Sequence, residues 1–136
     1  MEPDELVRVV ALNKGKVKAA EFKLRSRESG LSLFANDTVV GYAEIIEAVR
    51  EMGKRGELAA AVIPAQELRR LGLVLVKTPG NTMSPVVNRH HYEARLPWLR
   101  RLLLALRGLQ FQDYFNQHLS PKIAATVRLM GREEVS

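Results

Sequence analysis

The spacing of apolar positions changes several times along the chain, and each change marks an element. "LVRVVAL" (6–12) is apolar and β-branched with Arg8 as its one charge, which predicts a strand. "NKG" (13–15) offers residues that tolerate the positive φ of a tight turn. "VKAAEFKLR" (17–25) alternates in part, with Phe22 and Leu24 on one side and Glu21, Lys23 and Arg25 on the other, and reads as a second strand. "RESG" (27–30) reads as another turn and "LSLF" (31–34) as another short strand. The period then lengthens. Tyr42, Ile45, Ile46, Val49 and Met52 recur at helical spacing, with Asp37 or Thr38 as the cap and Gly53 or Gly56 as the stop. "LAAAVI" (58–63), unbroken between Gly56 and Pro64, predicts a central strand buried on both faces. A short helix over 64–72 and a strand over 73–76 follow. "KTPGNTMSP" (77–85) is the longest turn-rich loop, and residues 86–96 suit a strand.

The last third is helical. In "PWLRRLLLALRGL" (97–109), Leu99, Leu102, Leu103 and Leu106 form one stripe, and Arg100 and Arg107 lie on the far side. Leu104 falls beside those arginines, outside the stripe, and is expected to be solvent-exposed in a monomer. Two more helices are expected over 111–119 and 121–130, the second capped by Ser120, started by Pro121 and closed by Gly131. The pattern amounts to a single α+β domain: a mixed or antiparallel sheet region over residues 1–96 and a C-terminal helical lobe over 97–136.

Composition narrows the function classes. The chain has 136 residues and no cysteine, which removes disulfides, thiolate nucleophiles and cysteine-bound zinc. No apolar run approaches the roughly 18 residues that span a bilayer, and the acidic N-terminal stretch is wrong for a secretory signal, so a cytoplasmic protein without membrane association is expected. The net charge is +6, and residues 87–130 hold most of it, with seven Lys and Arg against two Asp and Glu. Such a local excess attracts polyanions or an acidic partner.

Two stretches carry a resemblance. "FKLRSRESGLSLF" (22–34) contributes Phe22, Arg25, Glu28, Gly30, Leu31 and Ser32, and "IPAQELRRLGLVLVKTP" (63–79) contributes Ile63, Pro64, Ala65, Leu68, Gly72 and Leu73. Together they resemble a loose set of small bacterial α+β proteins with no established activity, over residues 22–91. His90 or His91 stands for that pattern's terminal histidine. The resemblance implies a bacterial α+β domain and no mechanism.

Reactive side chains are densest in "VVNRHHYEAR" (86–95). On a strand, Arg89, His91, Glu93 and Arg95 would share a wet face, with Val86, His90, Tyr92, Ala94 and Leu96 behind them. No catalytic set is favoured. The alternative is a small toxin-like enzyme, a ribonuclease or ADP-ribosyltransferase type, with His91 as base, Glu93 as its orienter and Arg25 on a phosphate. A metal would need His118 to join His91 and Glu93, so no metal and no cofactor is expected. The favoured reading is a small basic accessory protein that docks on a protein partner or its own copy, and possibly on nucleic-acid backbone. Its binding residues would be Arg89, Arg95, Arg100, Arg101, Arg107, Trp98 and Leu104.

Overall fold

A computed structural model describes residues 3–37 and 40–130. The fold is α+β, built on a six-stranded antiparallel sheet with a C-terminal helical segment. The strands are β1 (Glu5–Ala11), β2 (Leu31–Phe34), β3 (Leu58–Pro64), β4 (Val74–Lys77), β5 (His91–Arg95) and β6 (Arg128–Met130), in the spatial order β4-β5-β2-β1-β3-β6. β1 pairs with β3 along its whole length, from Glu5 opposite Pro64 to Ala11 opposite Leu58.

The continuous apolar strands sit at the centre because both sides of the sheet are covered. One side packs Leu6, Val10, Leu31, Leu33, Ala61 and Ile63 against Phe22, Leu68, Phe115, Leu119 and Ile123. The other packs Val7, Val9, Phe34, Ala60 and Val62 against Val40, Ile45 and Ile46. Helix α1 (Tyr42–Glu51) covers this second side, with α3 (Pro85–Asn88) packed beside it. Helix α2 (Ala65–Arg70) follows β3 directly. The first side lies under a 3₁₀ turn, Ala19–Phe22, and the tail helices: α4 (Trp98–Leu106), α5 (Phe111–Tyr114), a widened π turn over Phe115–Leu119, and α6 (Ser120–Thr126).

Four expectations change. Residues 17–25 do not form a strand, because β2 takes the place beside β1 and leaves no edge for them. Phe22 and Leu24 are nevertheless buried as their apolar character requires. The backbone of 22–28 is satisfied instead by three tail side chains at four-residue spacing. Ser120 Oγ donates to Phe22 O at 2.7 Å, and Gln112 Nε2 reaches Ser26 O and Glu28 O. Asn116 accepts from Leu24 N–H at 2.6 Å and donates to Leu24 O at 2.9 Å. The second change is at α1, whose N-cap is Gly41; the Asp37 carboxylate accepts from Val40 N–H at 2.9 Å in the preceding turn, and Thr38 lies outside the described residues.

Thirdly, Ser120 does not cap the final helix but lies in its first turn, its hydroxyl taken by Phe22 O, and the helix stops at Thr126, where residues 128–130 pair with Ala60–Val62 as β6. The buried run 58–63 has backbone groups on its outer side that need partners, and this short strand supplies them. Gly131 lies outside the described residues. Fourthly, the stretch 86–96 is split: 85–88 is the first helical turn, capped by Ser84, whose hydroxyl accepts from Val87 N–H, and only 91–95 is strand. No helix among the described residues is long and apolar enough to cross a membrane.

Candidate functional site

Helix α4 leaves β5 after Pro97 and ends in a tight C-terminal turn. Leu109 N–H donates to Leu104 O and Gly108 N–H to Ala105 O, both at 2.9 Å, with Gly108 at φ 76°. That is the Schellman closure, which places a left-handed residue just past the helix. Between these ends the helix is turned the opposite way from the wheel expectation. Leu104 is 8% exposed and joins the core with Phe115, Leu119 and Ile123. The predicted stripe of Leu99, Leu102, Leu103 and Leu106 faces solvent, Leu106 at 75%. Trp98, at 68%, and Leu109 extend it.

The reason is the tail's attachment. The side chains of Gln112, Asn116 and Ser120 fasten the following helices to residues 22–28, and this fixes which side of α4 can be covered. Only α4's inner edge reaches the core. The helices at 111–126 therefore do not close over the leucines as a hairpin. Leu104, expected as an exposed contact residue, is a core anchor.

Five large exposed apolar side chains on one short surface helix, with Leu109 just past its end, make the kind of apolar surface that marks an interaction site. Each is about half or more exposed. Covering what remains of each releases about 1 kcal/mol, so the patch gains roughly 6 kcal/mol before the entropy of association is subtracted.

The basic residues are distributed unevenly around it. Arg100 donates to Tyr114 Oη at 3.1 Å, and its guanidinium stands 5.7 Å from that ring. With Leu103, Leu104, Arg107 and Tyr114 it lines a groove of about 340 Å³ beside the stripe. Arg101 turns inward, 5.3 Å from the centre of the Phe111 ring, and its Nε is buried without a hydrogen bond. Arg95 pairs with Glu93 at 2.7 Å. Arg89 lies elsewhere, in a second cleft with Lys77, His90, Asp37 and Tyr92. The structure thus brings Arg100 and Arg107 together on one groove, sets Trp98 at the other edge of the stripe, and places Arg89 in a different cleft.

The chain matches no family model, no curated protein and no solved structure. Function has to be argued from geometry.

The histidine cluster is built differently from its expected wet face. His91 is 5% exposed, with its ring edge-on to Phe34 at 5.2 Å. Nδ1 lies 2.9 Å from Thr78 Oγ1 and 3.2 Å from Thr78 O, and Nε2 meets Ser32 Oγ. A carbonyl only accepts, so the proton belongs on Nδ1 and the Ser32 hydroxyl donates to Nε2. Burial pushes the His91 pKa below its usual value, against the opposing pull of the Thr78 carbonyl and the Glu93 charge. The ring is held neutral and satisfied at both ends.

Glu93 does not orient it. Its carboxylate accepts from Arg95 Nε at 2.8 Å and from Ser29 Oγ at 3.2 Å. Arg25 sits in the exposed 25–28 turn, where its N–H donates to Glu28, and makes no hydrogen bond or ion pair with either residue. Neither cleft is lined by Ser32 or His91. A hydroxyl–imidazole pair of this kind can activate a nucleophile where substrate reaches it; here it locks β2 to β5 and the 78–80 loop. The His118 ring lies tilted against Tyr114, centroids 5.0 Å apart, and no three metal-ligating groups converge among the described residues.

His90 turns the other way, with Nε2 2.9 Å from Asp37 Oδ2 and Nδ1 2.9 Å from Val86 O. Neither this pair nor the Ser32–His91 contact carries a local sequence signal, since their members are 53 and 59 residues apart.

Proposed function

We propose that this chain is a non-catalytic accessory protein that docks on a protein partner through the outer face of α4. The observation that carries the reading is the orientation of that helix. Leu104 anchors it, and Trp98, Leu99, Leu102, Leu103 and Leu106 are presented outward. A monomer gains nothing from so much apolar surface in water, whereas tryptophan and arginine beside leucine are the residues that contact cores favour. Contact with nucleic-acid backbone has weaker support. Arg95 is neutralised by Glu93 and Arg101 is turned onto Phe111, so the five arginines do not form a row for phosphates. The enzyme alternative is disfavoured by the separation of His91 from Glu93 and Arg25 described above.

The test is affinity purification of the full chain from the cells that make it, with a Leu102→Asp/Leu106→Asp variant in parallel. Both positions are exposed, so the variant keeps its fold by circular dichroism. A stoichiometric partner present with the wild type and absent with the variant supports the reading. Recovery of the same partners by both proteins, or of neither with any partner, refutes it.

A further inference from the structure

We infer that the segment seated on α4 is an amphipathic helix of another protein, apolar along one face with carboxylates along one edge, and is not a second copy of this chain. This rests on the docking reading and specifies its partner.

The first argument is charge. Between Glu93 and Asp113 the chain carries Arg95, Arg100, Arg101 and Arg107 and no acidic residue. Arg95 is spent on Glu93 and Arg101 lies against Phe111. Arg100 and Arg107 are left, both exposed. They are seven residues apart, so they stand about 20° apart around the helix and about 10 Å apart along it. The pair flanks one edge of the leucine stripe, where Leu103, Leu104 and Tyr114 form the groove floor and wall. The opposite edge, beyond Trp98, has Ala105 and the inward-turned Arg101. A partner helix with two carboxylates on a matching edge, two turns apart, satisfies both guanidinium groups while its apolar face covers the leucines.

The second argument concerns symmetry. Two copies meeting antiparallel through this face, on a two-fold axis crossing between Leu103 and Leu104, would set Arg100 of each against Arg107 of the other. The interface is isologous, so the clash occurs twice, and no acid of α4 relieves it. Like charges set face to face at a contact are a device that rejects the wrong partner. A lipid surface offers no reason for cations on only one edge of the stripe, whereas a helical partner does: one charged edge fixes its direction and register.

The experiment uses Trp98, the single tryptophan of the chain, as the reporter. Its emission is followed as synthetic amphipathic helices are added: one with a leucine face and two glutamates seven residues apart on one edge, and the same helix with glutamines. The wild-type protein and a Arg100→Glu/Arg107→Glu variant are compared, and the two proteins are also mixed and sized by light scattering. The expected result is a blue shift with the glutamate helix at about tenfold lower concentration than with the glutamine helix, the scale of two exposed ion pairs. The variant reverses that preference. The mixture of wild type and variant forms a 1:1 pair that neither forms alone, because the variant's own α4 is then an acid-edged apolar helix. An Arg100→Gln/Arg107→Gln variant, blind to the difference between the helices, supports the same conclusion if the charge-reversed one fails to fold.

Equal binding of both helices by all proteins overturns the charge inference and leaves the docking reading standing. Self-association of the wild type that Leu102→Asp/Leu106→Asp abolishes makes a second copy the occupant and overturns the inference. So does binding to phosphatidylserine vesicles with no response to either helix. A Trp98 emission that responds to no helix, copy or vesicle overturns the inference and the docking reading together.

Discussion

Replacing Leu104 and Leu106 separately by alanine tests the orientation of α4, on which the functional reading depends. The two leucines are half a turn apart, and one is 8% exposed while the other is 75% exposed. Leu104 packs into the cluster of Phe115, Leu119 and Ile123. Truncating a buried leucine removes its transfer free energy and leaves a cavity, at a cost of about 2–5 kcal/mol; a position at the rim of a core belongs to the lower half of that range, about 2.5 kcal/mol. Leu106 already has most of its surface in water, so Leu106→Ala changes stability by less than about 0.5 kcal/mol, and alanine's helix propensity offsets part of that. For a domain of this size about 1 kcal/mol moves the melting temperature by roughly 4 °C. Leu104→Ala should therefore melt about 10 °C lower than the wild type, and Leu106→Ala within about 2 °C of it. Urea titration followed by far-ultraviolet circular dichroism gives the free energies, with an unchanged slope showing that the unfolded states are comparable. The reverse ranking, with Leu106→Ala the more damaging, would mean that the leucine stripe faces the core and that α4 has no free apolar face to offer.

Three other outcomes follow from the same geometry. Asn116→Ala strips the side-chain partners from both the N–H and the carbonyl of Leu24, and should cost about 2–3 kcal/mol in the same urea titration, while Asn116→Asp restores only the acceptor and recovers part of it. Gly108→Ala forces a side chain into a φ of 76° at the helix terminus and should destabilise by about 1 kcal/mol, with the loss visible as faster amide exchange at Leu109. His91 is buried in its neutral form with a lowered pKa, so the unfolded chain takes up this proton first as pH falls. The His91 contribution is present above its unfolded pKa of about 6.5 and is lost as pH falls through and below that value; the wild type should lose stability relative to His91→Asn over that range, and parallel curves would disprove the buried neutral ring.

Much of the sheet was legible. "LAAAVI" is the central strand its unbroken apolar run demands, β1, β2 and β4 fall within a residue of their patterns, and α1 occupies the periodic stretch from Tyr42. Those elements declare themselves because each one's burial is set by its own residues. Apart from the α1 cap, which a local turn at Asp37 displaces, the misreadings come from contacts with other parts of the chain. Residues 17–25 have a plausible strand pattern, but their backbone is claimed by Gln112, Asn116 and Ser120, more than 80 residues away. On α4 the wheel correctly groups Leu99, Leu102, Leu103 and Leu106 and places Leu104 apart. Amphipathicity says that the two faces differ; it does not say which one the rest of the molecule will cover. The wider stripe faces out, and the single leucine beside two arginines is the anchor. At the histidines, alternation puts His91 on a wet face, whereas the loop carrying Thr78, with Ser32 and Phe34 of β2, encloses it.

The ladder of Gln112, Asn116 and Ser120 also makes closing the fold a long-range event. Its bonds join residues 22–28 to positions 84 to 98 residues further on, so the 3₁₀ turn and the tail helices gain these partners only once a long loop has closed. The attachment that leaves the α4 leucines outward thus depends on contacts of high sequence separation, the kind that forms slowly in folding.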